Sequence, residues 1–137
     1  MISRFILHQH KTGRRHFDLR LLQDDRWRTW SLLQEPPERI GTRRLAIERE
    51  TFPGEVMQQS SFNEEAFGEG PVRVWDEGEV EITPLSARRL DLVFHGARIT
   101  GRYRLRRMLW YPGNHWLLEK EGPFEGSKQN QPPIPRN

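Results

Sequence analysis

The sequence predicts a mainly β protein, a single-domain antiparallel β-barrel with flanking hairpins and one short helix. Apolar and polar residues alternate with a period of two in many short runs, which is typical of strands with one buried face. Turn residues punctuate these runs about every ten positions, as in a meandering antiparallel sheet. We expect so many short strands to close into a barrel, because closure removes exposed sheet edges.

The alternation is clearest over residues 16–22. Up to residue 21, apolar side chains occupy the odd positions and polar side chains the even ones: Phe17, Leu19 and Leu21 against His16, Asp18 and Arg20. A strand places these two sets on opposite faces. A helix would turn about 100° per residue and scatter the apolar set over much of its circumference. The segment is therefore predicted to be a half-buried strand.

The same pattern predicts the remaining strands in chain order. Together with 16–22, the predicted strands are 4–9, 16–22, 27–33, 44–50, 72–76, 79–82, 90–94, 97–107 and 115–120. Turns are expected at 23–25, 76–78, 95–96 and 112–114, which contain the aspartate, asparagine and glycine residues that turns favour.

The alternation lapses between Thr51 and Gly70. Ser61 and Glu64 have the spacing of a capping box, which predicts a short helix over 61–67 and then a loop over 68–71. At the other end, residues 121–137 hold four prolines and two apolar side chains. Such a segment cannot offset its ordering entropy, so we expect a barrel domain over 1–120 and a disordered proline-rich tail over 121–137.

Length and composition limit the class of protein. With 137 residues, of which 34% are hydrophobic and 30% charged, the chain is long enough for one compact core. The absence of cysteine excludes disulfides and thiolate metal sites and fits a reducing compartment. No apolar run approaches the roughly 20 residues of a membrane span, and Met1 is followed by strand-like sequence rather than a signal peptide. We therefore expect a cytoplasmic protein.

The polar face of the 16–22 strand has the residue types of a metal site. His16 and Asp18 would lie about 7 Å apart at their Cα atoms, close enough to bind one ion. Imidazole and carboxylate groups suit Mn²⁺ or Zn²⁺, and either His10 or His8 could supply a third ligand across the intervening turn. Arg20 continues the row, and its guanidinium could bind a phosphate through two parallel hydrogen bonds. A solvated polar face is the alternative interpretation.

A second cluster of charge follows residue 97. The chain has a net charge of +3, but arginines crowd into one predicted strand. Alternation there separates a basic side from an apolar side: Arg98, Arg102, Arg104 and Arg106 against Ile99, Tyr103 and Leu105. Such a row could neutralise successive phosphates of a nucleic-acid backbone, and a solvated sheet face is again the alternative.

The order of these motifs resembles that of a known family. The spacing of His10, His16, Asp18 and Arg20 resembles the 3′-phosphoesterase domain of bacterial DNA ligase D and its free-standing relatives. Further matching segments follow in the same order: TWSLLQEP, RRLAIE, FGEGPVRVWDEG, LVFHGARITGRYRLRRM and NHWLLEK. The resemblance extends from about residue 5 to residue 120.

The resemblance implies a metal-dependent repair module, built on a β-barrel, that trims DNA 3′ ends bearing a phosphate or a terminal ribonucleotide. It implies that His10, His16 and Asp18 take the places of the Mn²⁺ ligands, with Zn²⁺ as the second choice of metal. Arg20 takes the place of an arginine that contacts the scissile phosphate, and Arg44 that of another active-site arginine. DNA 3′ ends are the implied partner, together with a separately encoded ligase, and we expect a monomer.

The chain departs from the family pattern at several positions. Gln34 stands in place of a lysine, Phe52 of a catalytic histidine, Val56 of a tyrosine and Leu22 of a glutamate. The sequence also begins just ahead of the first predicted strand, so we expect it to lack the segment that precedes the barrel in ligase D. His95 and His115 are the remaining histidines, and both lie at predicted turns, where we expect surface residues.

Two functions therefore stay open at the level of the sequence. The first is a metal-dependent phosphoesterase that acts on nucleic-acid 3′ ends in DNA repair. The second is a degenerate relative that binds a metal and a nucleic-acid end without cleaving, as an accessory to a separate ligase or nuclease. The residue types do not distinguish DNA from RNA.

Overall fold

A computed structural model describes residues 1–10, 15–53, 61–64, 68–110 and 113–123. Within these ranges the chain forms ten strands: β1 Ile2–His10, β2 His16–Gln23, β3 Arg26–Leu32, β4 Arg43–Glu48, β5 Phe52–Pro53, β6 Ser61–Glu64, β7 Gly68–Ser86, β8 Arg89–His95, β9 Thr100–Arg107 and β10 His115–Gly122. None of the described residues belongs to a helix long and apolar enough to cross a membrane.

Eight of the strands close into an antiparallel barrel in the order β1-β2-β3-β4-β10-β9-β8-β7, with β7 pairing back onto β1. The two short strands lie outside this circuit, because β5 pairs with β3 and β6 with β7. The predicted antiparallel barrel is confirmed. In this circuit β2 and β9 are four strands apart in either direction, so they form opposite walls.

The barrel interior holds one continuous apolar core to which all eight circuit strands contribute. Its buried residues on these strands are Phe5, Leu7, Phe17, Leu19, Leu21, Trp30, Leu32, Ala46, Val80, Ile82, Leu90, Leu92, Phe94, Tyr103, Leu105, Trp116 and Leu118. Phe94 packs edge to face against Phe5 and Tyr103, with ring centroids 4.9 and 5.1 Å apart. Such aromatic pairs add about 0.5 to 1.5 kcal/mol each beyond the area they bury.

A tight turn joins β2 to β3 at the predicted position. Asp24 and Asp25 both have positive φ, 52° and 63°. Two successive positive φ values match the right-handed twist of the flanking strands and keep the hairpin register. The turn therefore fixes which residues of β3 lie opposite the polar face of β2.

The sequence predicts two strands, 72–76 and 79–82, with a turn between them and a loop over 68–71, and this prediction is wrong. The structure has one continuous strand, β7, from Gly68 to Ser86. Pairing with β1 extends from Ile2 opposite Glu81 to His10 opposite Val72, with one register shift near Leu7. That pairing carries the strand through residues 76–78, where the turn was expected, and provides partners for its backbone there.

The aspartate that suggests this turn has a different role. The carboxylate of Asp76 is buried and accepts hydrogen bonds from the backbone N–H groups of Ala97, Arg98 and Ile99 at 2.7 to 3.0 Å. It therefore holds the turn between β8 and β9. Ala97 and Arg98 belong to this turn and not to the predicted strand over 97–107.

The predicted short helix over 61–67 is also wrong. Ser61–Glu64 is strand β6, paired with the first residues of β7 from Gly68 to Pro71. A helix of two turns is marginal by itself, because nucleation is costly and few hydrogen bonds follow. Pairing along a neighbouring strand satisfies the same backbone groups, and residues 65–67 lie outside the described part of the chain.

The last strand, β10, continues to Gly122, two residues beyond the predicted domain end at residue 120. Residues 124–137, which hold most of the predicted disordered tail, lie outside the described residues, as do residues 11–14 of the turn before β2. The domain boundary and the disorder of the tail stay predictions. In the predicted turn over 112–114, Gly113 has a φ of 73°, in the left-handed region that glycine adopts readily.

Replacing Asp76 by asparagine tests the role of its carboxylate. An amide has one acceptor oxygen, so its NH₂ group would face backbone donors of the β8–β9 turn. We expect a loss of about 3 kcal/mol in the free energy of unfolding, measured in urea, because buried donors would be left unsatisfied. Glu79→Gln, at an exposed position on the same strand, should change it by less than about 0.5 kcal/mol. Equal effects of the two substitutions would contradict this role.

Candidate functional site

The polar face of β2 continues onto β1 and β3. Strand pairing places His8 opposite Asp18, His10 opposite His16, and Asp18 opposite Ser31. The apolar residues of these strands point into the barrel, so the polar residues project from the outer side of its wall. We call this set the polar cluster: His8, His10, His16, Asp18, Arg20, Thr29 and Ser31. All seven are buried.

The three predicted metal ligands converge within the polar cluster. One ligand atom from each of His10, His16 and Asp18 lies within 4.8 Å of the others. Asp18 Oδ2 is 3.2 Å from His16 Nε2 and 3.6 Å from His10 Nδ1. All three side chains are 0% exposed. The sequence had left His10 and His8 open as the third member of this set, and the geometry favours His10.

The two distances between Asp18 and the imidazoles are close to those expected around a shared cation. Ligand atoms bound about 2.1 Å from one ion lie roughly 3 to 3.5 Å from each other in tetrahedral or octahedral geometry. Two imidazoles and a carboxylate are suitable donors for Zn²⁺ and for Mn²⁺. The donor set and its spacing are therefore compatible with a divalent metal.

Asp18 is held in place by hydrogen bonds to both of its oxygens. Ser31 Oγ donates to Oδ1 at 2.7 Å, and Arg20 Nη2 donates to Oδ2 at 3.2 Å. Groups that orient a ligand in this way are common around metal sites. Arg49 extends the network, because its Nε donates to Ser31 Oγ at 3.3 Å. Asp18 is therefore oriented toward the two imidazoles.

Arg20 is a buried cation whose three nitrogens all donate to the polar cluster. Besides the bond to Asp18, Nε donates to His8 Nδ1 and Nη1 donates to Thr29 Oγ1, both at 3.0 Å. The ring of Phe52 lies 5.2 Å from Arg20 Cζ, within range of a cation–π contact. The guanidinium therefore adds a fixed positive charge beside Asp18.

His8 accepts a hydrogen bond in this arrangement and does not belong to the ligand set. Burial, followed by the nearby charge of Arg20, lowers the pKa of His8 to about 4. The imidazole is therefore neutral at neutral pH. Since Nδ1 accepts the bond from Arg20, the ring proton resides on Nε2.

The structure does not bring Arg44 to the polar cluster. Alternation along β4 places Arg44 on the same side as the core residue Ala46, opposite to the outer face. Its guanidinium donates to the backbone carbonyls of Glu35, at 2.8 Å, and Arg43, at 3.2 Å. Arg49 is the arginine from this part of the chain that reaches the cluster. In an extended chain, residues 43, 45, 47 and 49 share the outer side, so alternation could have placed Arg49 on the side of the polar cluster.

Of the positions that depart from the family pattern and the two remaining histidines, only Phe52 contacts the polar cluster among the residues that the structure describes. Phe52 contacts Arg20, whereas Gln34 is exposed and Val56 lies outside the described residues. His95 Nε2 lies 2.7 Å from Glu81 Oε2, between β8 and β7. His115 on β10 is three strands from Asp18, about 14 Å at the usual strand spacing. Neither of these two histidines belongs to the polar cluster.

The predicted arginine row lies on the opposite wall of the barrel. Arg102, Arg104 and Arg106 alternate along β9 with buried residues, as predicted, and point outward. Arg98 precedes the strand, and its Cζ is 3.6 Å from the ring centroid of Trp75. Because β9 is four strands from β2, this row and the polar cluster face opposite directions.

A family model and several curated proteins match most of this chain. The family model for the DNA Ligase D 3′-phosphoesterase domain matches residues 8–107. Among curated proteins, the chain is similar to "Multifunctional non-homologous end joining protein LigD" of Mycobacterium bovis, with 28% identity over 121 residues. Proteins of the same name from Mycolicibacterium smegmatis and Pseudomonas aeruginosa are 26% and 29% identical over 130 and 128 residues.

These matches cover most of this chain and little of the relatives. The three alignments include 85%, 86% and 87% of this chain but 16%, 17% and 15% of the respective relatives. The chain therefore spans about a sixth of the length of the curated proteins that it matches. The shared region includes the polar cluster.

The buried ion pair between Asp18 and Arg20 should dominate the local stability of the polar cluster. Asp18→Ala leaves the Arg20 guanidinium buried without its carboxylate, and we expect a loss of about 3 to 5 kcal/mol in urea unfolding. Asp91→Ala is the matched control, because Asp91 pairs with Arg89 at side-chain exposures of 43% and 37%. That loss should stay below about 1 kcal/mol. Similar losses for both variants would refute the importance of the buried pair.

Proposed function

The chain belongs to the DNA ligase D 3′-phosphoesterase domain family, and we propose that it processes nucleic-acid 3′ ends in DNA repair as a metal-dependent phosphoesterase. The proposed substrates are ends that bear a phosphate or a terminal ribonucleotide. The names of the relatives, which refer to non-homologous end joining, support a role in repair. Action as a monomer beside a separately encoded ligase is part of the same proposal.

One observation carries the proposal. His10, His16 and Asp18 offer three ligand atoms within 4.8 Å of one another, and Arg20 lies beside them. Burying a carboxylate, a guanidinium and two imidazoles together is costly unless their mutual contacts compensate. Their convergence supports a cation site, with Mn²⁺ as the first choice and Zn²⁺ as the second.

Residues of the polar cluster would have separate roles in the proposed reaction. His10, His16 and Asp18 would hold the ion, while Ser31 and Arg20 keep the Asp18 carboxylate oriented. When bound, a divalent ion polarises phosphoryl oxygens and lowers the pKa of water. The charge of Arg20 would offset the negative charge of a phosphate placed next to the ligands.

A second candidate function is favoured by Phe52. The phenyl ring lies at the polar cluster, at the position where the family resemblance implies a catalytic histidine. A histidine that donates a proton to the leaving group is worth about 10² to 10⁴ in rate, and phenylalanine donates none. The alternative is therefore a protein that binds a metal and a nucleic-acid end without cleaving, as an accessory to a separate ligase or nuclease.

Paramagnetic Mn²⁺ tests the metal site directly. We expect Mn²⁺ to broaden the ring-proton NMR resonances of His10 and His16, because both rings would bind it. His16→Ala should abolish the response at His10. His95→Ala, on β8 and outside the polar cluster, should preserve it. Spectra that Mn²⁺ leaves unchanged would rule out the metal site.

A labelled primer–template with a 3′-phosphate or a single 3′ ribonucleotide tests catalysis. With Mn²⁺ we expect loss of the terminal group, and with EDTA no reaction. Phe52→His restores a possible proton donor and should raise the rate by about 10² to 10⁴. Phe52→Gln, which is polar but does not transfer protons, should not produce this gain.

The outcomes of this assay separate the two candidates. Activity of the unchanged protein supports the phosphoesterase. Binding of the substrate without cleavage, in a protein that responds to Mn²⁺, selects the accessory role. A protein that neither binds nor cleaves these ends contradicts both candidates.

A further inference from the structure

We propose that a second surface, across the barrel from the polar cluster, binds the backbone of a single-stranded nucleic-acid segment. We call it the basic groove, and it is formed by Arg88, Arg89, Arg106, Arg107, Leu109 and Trp110. It is an open groove of about 660 Å³ at the end of the barrel where β8 begins and β9 ends. The inference rests on the proposed function for the class of its ligand, a nucleic acid.

The basic groove places like charges next to each other. Arg89 lies directly opposite Arg106 in the pairing of β8 with β9. Next to this pair, the backbone N–H of Arg107 donates to the carbonyl of Arg88 at 2.8 Å. Like charges at directly opposed positions destabilise a sheet. A bound polyanion would offset this repulsion, because each phosphate adds one negative charge.

The neighbouring arginine on the same strand shows a different environment. Arg104 lies between Asp91 and Glu119 in the sheet, and its Nη2 is 3.1 Å from a carboxylate oxygen of Glu121. Arg106, two residues further, lies between Arg89 and Leu117. The predicted arginine row is therefore not uniform. Its Arg104 position is neutralised by the protein, whereas its Arg106 position belongs to a concentration of positive charge.

Two guanidinium groups of the basic groove are available for a ligand. In the described part of the chain, the guanidinium groups of Arg88 and Arg106 have no ion pair or hydrogen bond with protein atoms. Arg89 pairs with Asp91, and Arg107 Nε donates to the carbonyl of Gly113. Guanidinium groups bind phosphates through two parallel hydrogen bonds. Arg88 and Arg106 are therefore the expected phosphate contacts.

The aromatic residue of the basic groove favours a nucleic acid over an acidic protein. Trp110 is 93% exposed and lies beside the arginines. Proteins that bind single strands combine a basic groove with exposed aromatic rings on which bases stack. An acidic peptide could satisfy the arginines but offers no base to stack on the indole. The combination of Arg88, Arg106 and Trp110 therefore indicates an unpaired nucleotide segment.

The position of the basic groove separates it from the reactive end. Arg106 projects outward from β9, and β9 is four strands from β2 in the barrel circuit. A phosphate bound by Arg106 therefore cannot be the phosphate at the polar cluster. The groove would hold a segment at some distance from the 3′ end, and because it contacts the backbone, it would do so without sequence preference.

The experiment measures binding of a labelled twelve-nucleotide oligothymidylate with an ordinary 3′-hydroxyl, by fluorescence anisotropy in EDTA at several salt concentrations. The double variant Arg88→Ala/Arg106→Ala should bind at least about tenfold more weakly at low salt. Its slope of log K against log salt should fall by about 1.4, or 0.7 for each lost single-strand phosphate contact. Trp110→Ala should weaken binding about tenfold and leave the slope unchanged.

Two controls keep the result interpretable. Arg104→Ala removes an arginine from the same face of β9 and should change affinity less than about twofold, because its charge is already paired. Replacing Arg88 and Arg106 by lysine keeps the charge and should preserve the salt slope. If the alanine double variant were unfolded, each single alanine variant should still lower the slope by about 0.7.

Equal binding by the double variant and the unchanged protein would overturn the proposal, and so would an equal loss in Arg104→Ala. A polyglutamate peptide that binds as tightly as the oligonucleotide, and is insensitive to Trp110→Ala, would assign the groove to an acidic protein and also overturn it. The assay contains neither metal nor a reactive end. Its failure is therefore distinguishable from failure of the end-processing assay, which depends on the polar cluster.

Discussion

The carboxylate of Asp18 is the group on which the candidate site depends. It is fully buried, and a buried charge is tolerated only when it is paired and hydrogen-bonded. Its oxygens meet a guanidinium, a hydroxyl and two imidazole nitrogens, contributed by β1, β2 and β3. Each of these partners is in reach only because the three strands pair in one register. A slip of one residue would turn the whole polar face into the core.

Barrel closure determines where binding groups can lie in this domain. Every circuit strand directs one face to the apolar core, so binding groups are confined to the outer wall. The polar cluster and the basic groove occupy opposite walls, with charge buried on one side and concentrated in an open groove on the other. Because they are separated by the core, substitutions in one surface should not disturb the electrostatics of the other. The two proposed binding functions would therefore be physically independent.

Much of this arrangement could be predicted from local sequence, because strand faces follow from alternation alone. Alternation over 16–22 placed the Asp18 side chain correctly, and the barrel followed from the number of short strands. The errors come from long-range contacts. Asp76 looked like a turn residue, but three of its four hydrogen-bond donors lie more than 20 residues away. Arg44, which was assigned by resemblance, lies away from the polar cluster, and alternation from Ala46 gives the same placement.

The contact between Phe52 and Arg20 separates binding from catalysis in physical terms. An apolar ring at the edge of the polar cluster excludes water, and lower polarity strengthens the attraction between the cluster and a bound cation or phosphate. The same ring removes a proton donor from the position where a leaving group would need one. Holding a charged ligand and completing its cleavage therefore place different demands on this site. The polar cluster offers groups suited to the first demand, and under the proposed phosphoesterase function the second would depend on a proton source other than residue 52.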